Sequence, residues 1–237
     1  MSISVPIILS INVHEKPNFL MRQIENIKSF VKCEFIIILN CNDYMCEELK
    51  KISLPKFVHI NPEIINKVPW TGLITKGIYS NMKYALEHFN FLYFIVLSSR
   101  NMFYNNISPT DLLNNTTRHN PPSDLSMWHW PTFSKTKLGE YYLNRSCNLY
   151  GSEHEGFVIT ENVCKNIERM LEKNVEIRED IFSAMGCVEE FALQTISMNE
   201  YNHENTQVGW VNIGHGCETH YVIPTDPSLF VYKTTRQ

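Results

Sequence analysis

The chain alternates between short runs in which nearly every position is apolar and longer stretches in which apolar positions recur every three or four residues. Ile3 to Val13 is β-branched and apolar, and reads as a buried strand ending at Asn12-Val13-His14. Pro17 then stands near the start of a helical stretch that puts Phe19, Leu20, Ile24 and Ile27 on one face. Glu34 to Leu39 is a second apolar strand, stopping at the polar run Asn40-Cys41-Asn42-Asp43. A short helix near Glu47 to Lys51 leads to a third strand, Phe57 to Ile60.

Trp70-Thr71-Gly72 precedes a helix from about Thr75 to His88, with Ile78, Met82, Ala85 and Leu86 as its apolar positions. Phe91 to Leu97 is the most apolar strand of the chain and is expected at the centre of a sheet; it runs into Ser98-Ser99-Arg100-Asn101. From Tyr104 to Arg145 the chain is polar and rich in Pro and Asn, which predicts long loops with at most a short strand. Glu155 to Thr160 then reads as a strand, Glu161 to Glu172 as a helix, and Val188 to Met198 as a second helix. After Asn202 helix signals are few, and Leu229 to Lys233 is strand-like. Strand and helix alternating in this way predict an α/β fold with a parallel sheet. Ligands of such sheets bind beyond the carboxyl ends of the strands. That directs attention to His14, to Asn40 through Asp43, and to Ser98 through Asn101.

Composition narrows the picture. A length of 237 residues fits one domain, and 43% hydrophobic against 19% charged residues is an ordinary globular mixture with a core. The net charge of −4 comes from acids and bases spread along the chain, so neither nucleic acid nor an anionic membrane surface is an expected partner. The seven cysteines are scattered, odd in number and without a C-x-x-C pair, which speaks for a reducing compartment and against a disulfide framework. The first apolar run contains Pro6 and lacks a basic flank, so it reads as a strand rather than a signal or anchor. A cytoplasmic location without membrane insertion is the expectation. No phosphate loop of the Walker type, nucleophile elbow or dinucleotide fingerprint is present. His215-x-Cys217-x-x-His220 offers three metal-ligand types in six residues, but its spacing matches no standard zinc module, and no metal site is assigned.

Six segments in order resemble the core-2/I-branching β-1,6-N-acetylglucosaminyltransferase family, which also includes peptide O-xylosyltransferases. They are the strand ending in Val13-His14; Val68-Pro69-Trp70-Thr71-Gly72, similar to a Trp-Gly-Gly segment; and Tyr93 to Asn101, similar to a strand end reading Leu-Ser-Gly-x-Asp. Tyr150-Gly151-Ser152 with Gly156-Phe157-Val158-Ile159 resembles Gly-Ser-x-Trp-Phe-x-Leu-Ser. Val188-Glu189-Glu190 through Thr195 resembles Pro-Asp-Glu-x-x-x-x-Thr, and Leu229-Phe230 through Lys233 resembles Leu-Phe-Ala-Arg-Lys. The resemblance implies a GT-A-type, Rossmann-like glycosyltransferase domain with a mixed central sheet flanked by helices. Residues 1–103 would form its nucleotide-binding half, and 104–237 its acceptor-binding half and diphosphate-binding tail.

It also implies inverting transfer of a sugar from UDP-xylose or UDP-N-acetylglucosamine to a glycan hydroxyl. The family does this without a divalent metal, and the chain holds no Asp-x-Asp triplet; Asn101 stands where the strand-end motif has its acid. Such transfer needs a carboxylate to take the acceptor proton and positive groups to stabilise the departing diphosphate. By its place in the motif, Glu190 is the expected base, with Gln194 on the same helical face to orient it and Glu189 pointing elsewhere. Lys233, with Arg236, is the expected diphosphate ligand. Val13, His14, Asn40, Asn42, Asp43, Trp70, Ser98, Ser99 and Arg100 are the expected nucleotide contacts; for His14, fixing a loop is as good a reading. Glu153 and Glu155, with Trp128 and Trp130 as stacking platforms, are expected to meet the acceptor. Two alternatives differ in mechanism: an inactive glycan-binding α/β domain, and a metal-dependent GT-A transferase of another family with Asp43 on the metal.

Overall fold

The computed structural model describes residues 3–14, 16–114, 129–152, 154–200, 206–207, 211–212 and 231–233. Its first half runs β1 (Ile3–Asn12), α1 (Pro17–Phe30), β2 (Phe35–Asn40), α2 (Asp43–Lys50), β3 (Val58–Ile60), α3 (Leu73–His88) and β4 (Phe89–Ser98). There follow β5 (Asn101–Phe103), α4 (Pro109–Asn114), α5 (Trp130–Phe133), α6 (Lys137–Leu143), β6 (Val158–Thr160), α7 (Glu161–Lys173) and α8 (Val175–Ser183). A 3-10 turn (Val188–Glu190), α9 (Ala192–Glu200), β7 (Thr206–Gln207), β8 (Val211–Asn212) and β9 (Val231–Lys233) complete it. The fold is α/β, with a mixed central sheet of order β3-β2-β1-β4-β6-β7. β3, β2, β1 and β4 are mutually parallel, as helical crossovers require, while β6 lies antiparallel to β4 and β7 antiparallel to β6. A second sheet, β5-β9-β8, is small.

The central strands are mostly apolar because both faces are covered. Ile7, Leu9 and Ile11 of β1, Ile37 and Leu39 of β2, and Ile95 and Leu97 of β4 pack against Leu20, Ile24 and Ile27 of α1 and Met45 and Leu49 of α2. The alternate residues Ile8, Ile36, Ile38, Phe94 and Val96 pack on the opposite face against Ile78, Met82 and Ala85 of α3 and against α6 to α9. Each such side chain, fully buried, contributes about 1.5–3 kcal/mol of transfer free energy. The chain steps outward from β1 through β2 to β3, then returns on the other side of β1 to form β4. The strand order therefore reverses between β1 and β4, and a crevice opens at the carboxyl ends of that pair.

Two expectations change, and one helix was not anticipated. The helix predicted over Val188 to Met198 is interrupted: Val188–Glu190 is a 3-10 turn, Phe191 leaves helical geometry at φ −128° and ψ −42°, and α9 begins at Ala192. The cause is Phe191, whose ring is drawn into the core between Trp130 and Phe133. The described residues of the polar 104–145 region include helices α4, α5 and α6; α6 is started by Thr136, whose hydroxyl accepts the Gly139 N–H at 3.1 Å. α8 was hidden by its charges, but Ile177, Ile181 and Phe182 form a buried stripe.

Candidate functional site

The carboxyl ends of three parallel strands meet in one row. Asn12 at the end of β1 is in register with Asn40 of β2 on one side and with Ser98 of β4 on the other. The Val13 N–H continues the pairing by donating to Asn40 O at 2.9 Å, and its side chain is buried, so Val13 shapes the crevice from below. His14 is the first exposed residue beyond the sheet. Its Nδ1 lies 3.1 Å from Ser99 Oγ, and its N–H donates to the same oxygen at 3.4 Å. The pair spans the crevice at the point where the strand order reverses.

The segment after β4 is fixed from beneath. Gln23 of α1 is buried and donates through Nε2 to Ser98 O and Asn101 O, both at 2.8 Å. Asn101 is buried, and its Oδ1 accepts the Ser98 N–H at 2.6 Å, closing the turn that presents Ser99 and the half-buried Arg100. The Asn101 side chain thus makes a local hydrogen bond inside the protein. The Asn101 backbone also pairs antiparallel with that of Lys233, which carries the distant end of the chain to the end of β4.

On the β2 side, Asn40 is sealed, with Nδ2 donating to Glu63 O at 2.9 Å; Asn42 caps α2 by accepting the Met45 N–H at 2.8 Å. Asp43 is exposed and accepts from Asn66 Nδ2 at 2.6 Å. Of these three, only Asp43 faces outward. Beneath them runs a buried polar ladder. Asn81 donates to Ser10 Oγ at 3.0 Å and Ile38 O at 3.1 Å, and Asn61 donates to Ser80 Oγ at 2.9 Å and Asn81 Oδ1 at 3.0 Å. Lys67, in the loop before α3, was not singled out from the sequence. It is half-buried, donates to Asn40 O at 2.9 Å, and burial pulls its pKa down to about 8. A lysine in a polar loop gives no sequence signal of this; only the fold brings it over the end of β2.

The carboxylates come to the same end of the sheet through a second set of contacts. The Gly186 N–H donates to Trp70 O at 2.7 Å, the Gly72 N–H donates to Ala184 O at 2.8 Å, and Thr71 bridges to Met185. A Cβ on Gly72 would overlap the Ile181 carbonyl oxygen, so glycine is required for this approach. Trp70 itself holds φ 61° and is 60% exposed, a strained conformation for a bulky residue that keeps the indole outside the core. Three residues beyond Gly186 the 3-10 turn presents Glu189, which is buried, and Glu190, which is half-buried. Burial and these two carboxylates push the Cys187 thiol up to about 12. Gln194 does not share a continuous helical face with Glu190; its Nε2 reaches Glu189 O at 3.4 Å. Glu189 is the more enclosed of the two acids.

The acid turn is held by the Tyr150–Ser152 segment. Ser152 N–H donates to Glu190 O at 2.9 Å, and Thr195 Oγ1 both accepts from Tyr150 N at 3.0 Å and donates to Tyr150 O at 2.9 Å. Gly151 gives way to the Phe191 ring, which a Cβ there would contact at 2.5 Å. Trp130 is buried against Phe191, with ring centroids 4.4 Å apart, so it packs the core and offers no open face to a sugar. Glu155 is buried beside His154, whose Nδ1 lies 3.5 Å from its Oε2. Trp128, Glu153 and Arg236, and the trio His215, Cys217 and His220, lie outside the described residues, as does the Lys233 side chain. Among the described residues no cluster of three His, Cys, Asp or Glu is arranged to hold a metal, and no helix is long and apolar enough to cross a membrane.

Behind α3, between it and α8, a cavity of about 560 Å³ is lined by Lys76, Tyr79, Lys83, Glu172 and Arg178 among others. Glu172 accepts there from Lys83 at 2.8 Å, from Tyr79 OH at 2.9 Å and from Arg178. Compared with known proteins, the chain matches no family model and no curated protein.

Proposed function

We propose that the chain is an inverting glycosyltransferase of GT-A type, moving xylose or N-acetylglucosamine from its UDP donor to a glycan hydroxyl. The observation that carries the reading is the tie between Trp70–Gly72 and Ala184–Gly186, which brings the Glu189-Glu190 turn to the carboxyl end of the parallel strands. A crevice at a strand-order reversal is a nucleotide-binding position, and a carboxylate brought to that end of the sheet is the group an acceptor hydroxyl would need.

In this mechanism the acceptor oxygen attacks the anomeric carbon from the face opposite the diphosphate. Glu190 takes the hydroxyl proton as the new C–O bond forms. The old C–O bond breaks and its electron pair leaves with UDP, so configuration inverts. Positive groups, Lys233 and Arg236 first among them, neutralise the charge growing on the diphosphate in place of a metal. His14, Ser99 and Asp43 border the nucleotide, and Glu155 supports the acceptor side from within.

The test is UDP release from UDP-xylose and UDP-N-acetylglucosamine with a panel of glycan acceptors, alongside thermal stabilisation by each donor. Release that depends on the acceptor supports the reading. Absence of both release and stabilisation with every UDP-sugar overturns it. Stabilisation by glycan alone, without turnover, would make this a glycan-binding domain.

A further inference from the structure

We infer that Lys67 is an anion subsite of the crevice and takes a phosphate group of the bound nucleotide. The identity of the nucleotide rests on the function proposed above; the anion subsite stands on its own geometry. Lys67 lies over the end of β2, where its ammonium holds the Asn40 carbonyl oxygen at 2.9 Å. An ammonium carries three donors, and among the described residues no carboxylate lies within ion-pair distance of it. The nearby acids are engaged elsewhere: Glu63 with Ser80 Oγ at 2.6 Å and Lys76 at 3.4 Å, and Asp43 with Asn66. The titratable neighbour that reaches Lys67 is the buried Cys41 thiol, itself pushed up to about 12 by burial.

The protein has made room for this side chain. A Cβ on Gly77 of α3 would stand 2.7 Å from Lys67 Cε and would overlap Asn12 Oδ1. Asn12 Oδ1 is buried without a hydrogen-bond partner. Among the described residues the ammonium meets one carbonyl dipole, Asn40 O, and no formal negative charge. A half-buried cation with no counter-charge among the described residues is unfavourable in the free protein, and an incoming phosphate would supply what is missing. Lys67 keeps part of its surface open to solvent, which leaves a path for that anion. The depressed pKa is the same fact seen in the unliganded state, and it reverses when an anion binds.

Titration calorimetry with UDP, uridine and inorganic pyrophosphate, on the wild type and on Lys67→Met, tests this. UDP affinity should fall at least about ten-fold in Lys67→Met, the scale of a lost charge-assisted hydrogen bond, while uridine affinity stays the same. The melting temperature should not fall, because a half-buried charge without a counter-charge among the described residues has been removed. In the wild type, the preference for UDP over uridine should shrink as pH rises from about 7 to about 9.5, as free Lys67 loses its proton; Cys41, pushed up to about 12, titrates above that window. Equal UDP affinity in the two proteins, or a UDP preference unchanged over that pH range, overturns the proposal. So does a lower melting temperature with unchanged binding, which would make Lys67 a structural pin. Lys67-dependent pyrophosphate binding in a protein that transfers no sugar would instead sink the transferase reading and leave the subsite standing.

Discussion

Ser99 Oγ lies 3.1 Å from His14 Nδ1 and thereby links the end of β4 to the end of β1 across the gap where the strand order reverses. The serine is buried and the histidine exposed, so the hydroxyl acts as a fixed post that orients the imidazole. Ser99→Ala removes the post without adding bulk. It should cost about 1 kcal/mol in urea unfolding, the usual net value of one hydrogen bond, and lower UDP affinity a few-fold because the loop after β1 is no longer held.

Gly72→Ala should be far more damaging. The added methyl would overlap the backbone oxygen of Ile181, and neither α3 nor α8 can retreat without disturbing the core. A loss of at least about 3 kcal/mol, at the upper end of overpacking effects, should appear as a large fall in melting temperature. A near-neutral result would mean that the approach of Gly72 to α8 is looser than described.

Much of this architecture was legible in the sequence. β1, β2 and β4 announce themselves because strands buried on both faces are mostly apolar runs, and Ile78, Met82 and Ala85 of α3 fall at helical spacing. What escaped was set by partners far away in the chain. Phe191 continues a helical pattern from Val188, but tertiary packing against Trp130 and Phe133 breaks the helix there. Asn81 looks like a polar interruption of α3, yet it is buried because Ser10, Ile38 and Asn61 satisfy it. Lys67 reads as an ordinary loop lysine until the fold lays it over Asn40. Trp130, expected at a sugar, is claimed by the core.

The two acids of the 3-10 turn are separable. Glu190→Gln retains shape but cannot accept a proton, so transfer should fall by about 10²–10⁴-fold with UDP affinity little changed. Glu189→Gln should leave the rate near wild type and act mainly on stability, since Glu189 is the more buried. The reverse pattern, read from initial rates and melting curves of both variants, would move the base to Glu189.

Sugar transfer should continue in excess EDTA, because the chain contains no Asp-x-Asp triplet and cationic side chains are proposed for the diphosphate. Activity that disappears with chelator and returns with manganese would place a metal, with Asp43 as its nearest candidate ligand, at the centre of the mechanism.

Acid sensitivity should centre on Glu172. Hydrogen bonds from Lys83, then Tyr79 and Arg178, hold its carboxyl down at about 2, below the ordinary 4.5. A folded-state pKa below the unfolded one means stability present above pH 4.5 and lost as pH falls towards about 2. Because this carboxylate is partly exposed, the effect is modest. Melting temperature measured across that window should fall less steeply in Glu172→Gln than in the wild type.

The antiparallel match of Asn101 with Lys233 has a consequence for the order of events during synthesis. The segments forming β1 to β4 leave the ribosome first and can pair at once, since their crossovers are local. β5 emerges directly after them but waits for Val231–Lys233 before its edge is covered. A nascent chain can thus hold a folded sheet and an unfinished crevice together. Stalled or truncated products should expose the β5 edge as a template for unwanted pairing.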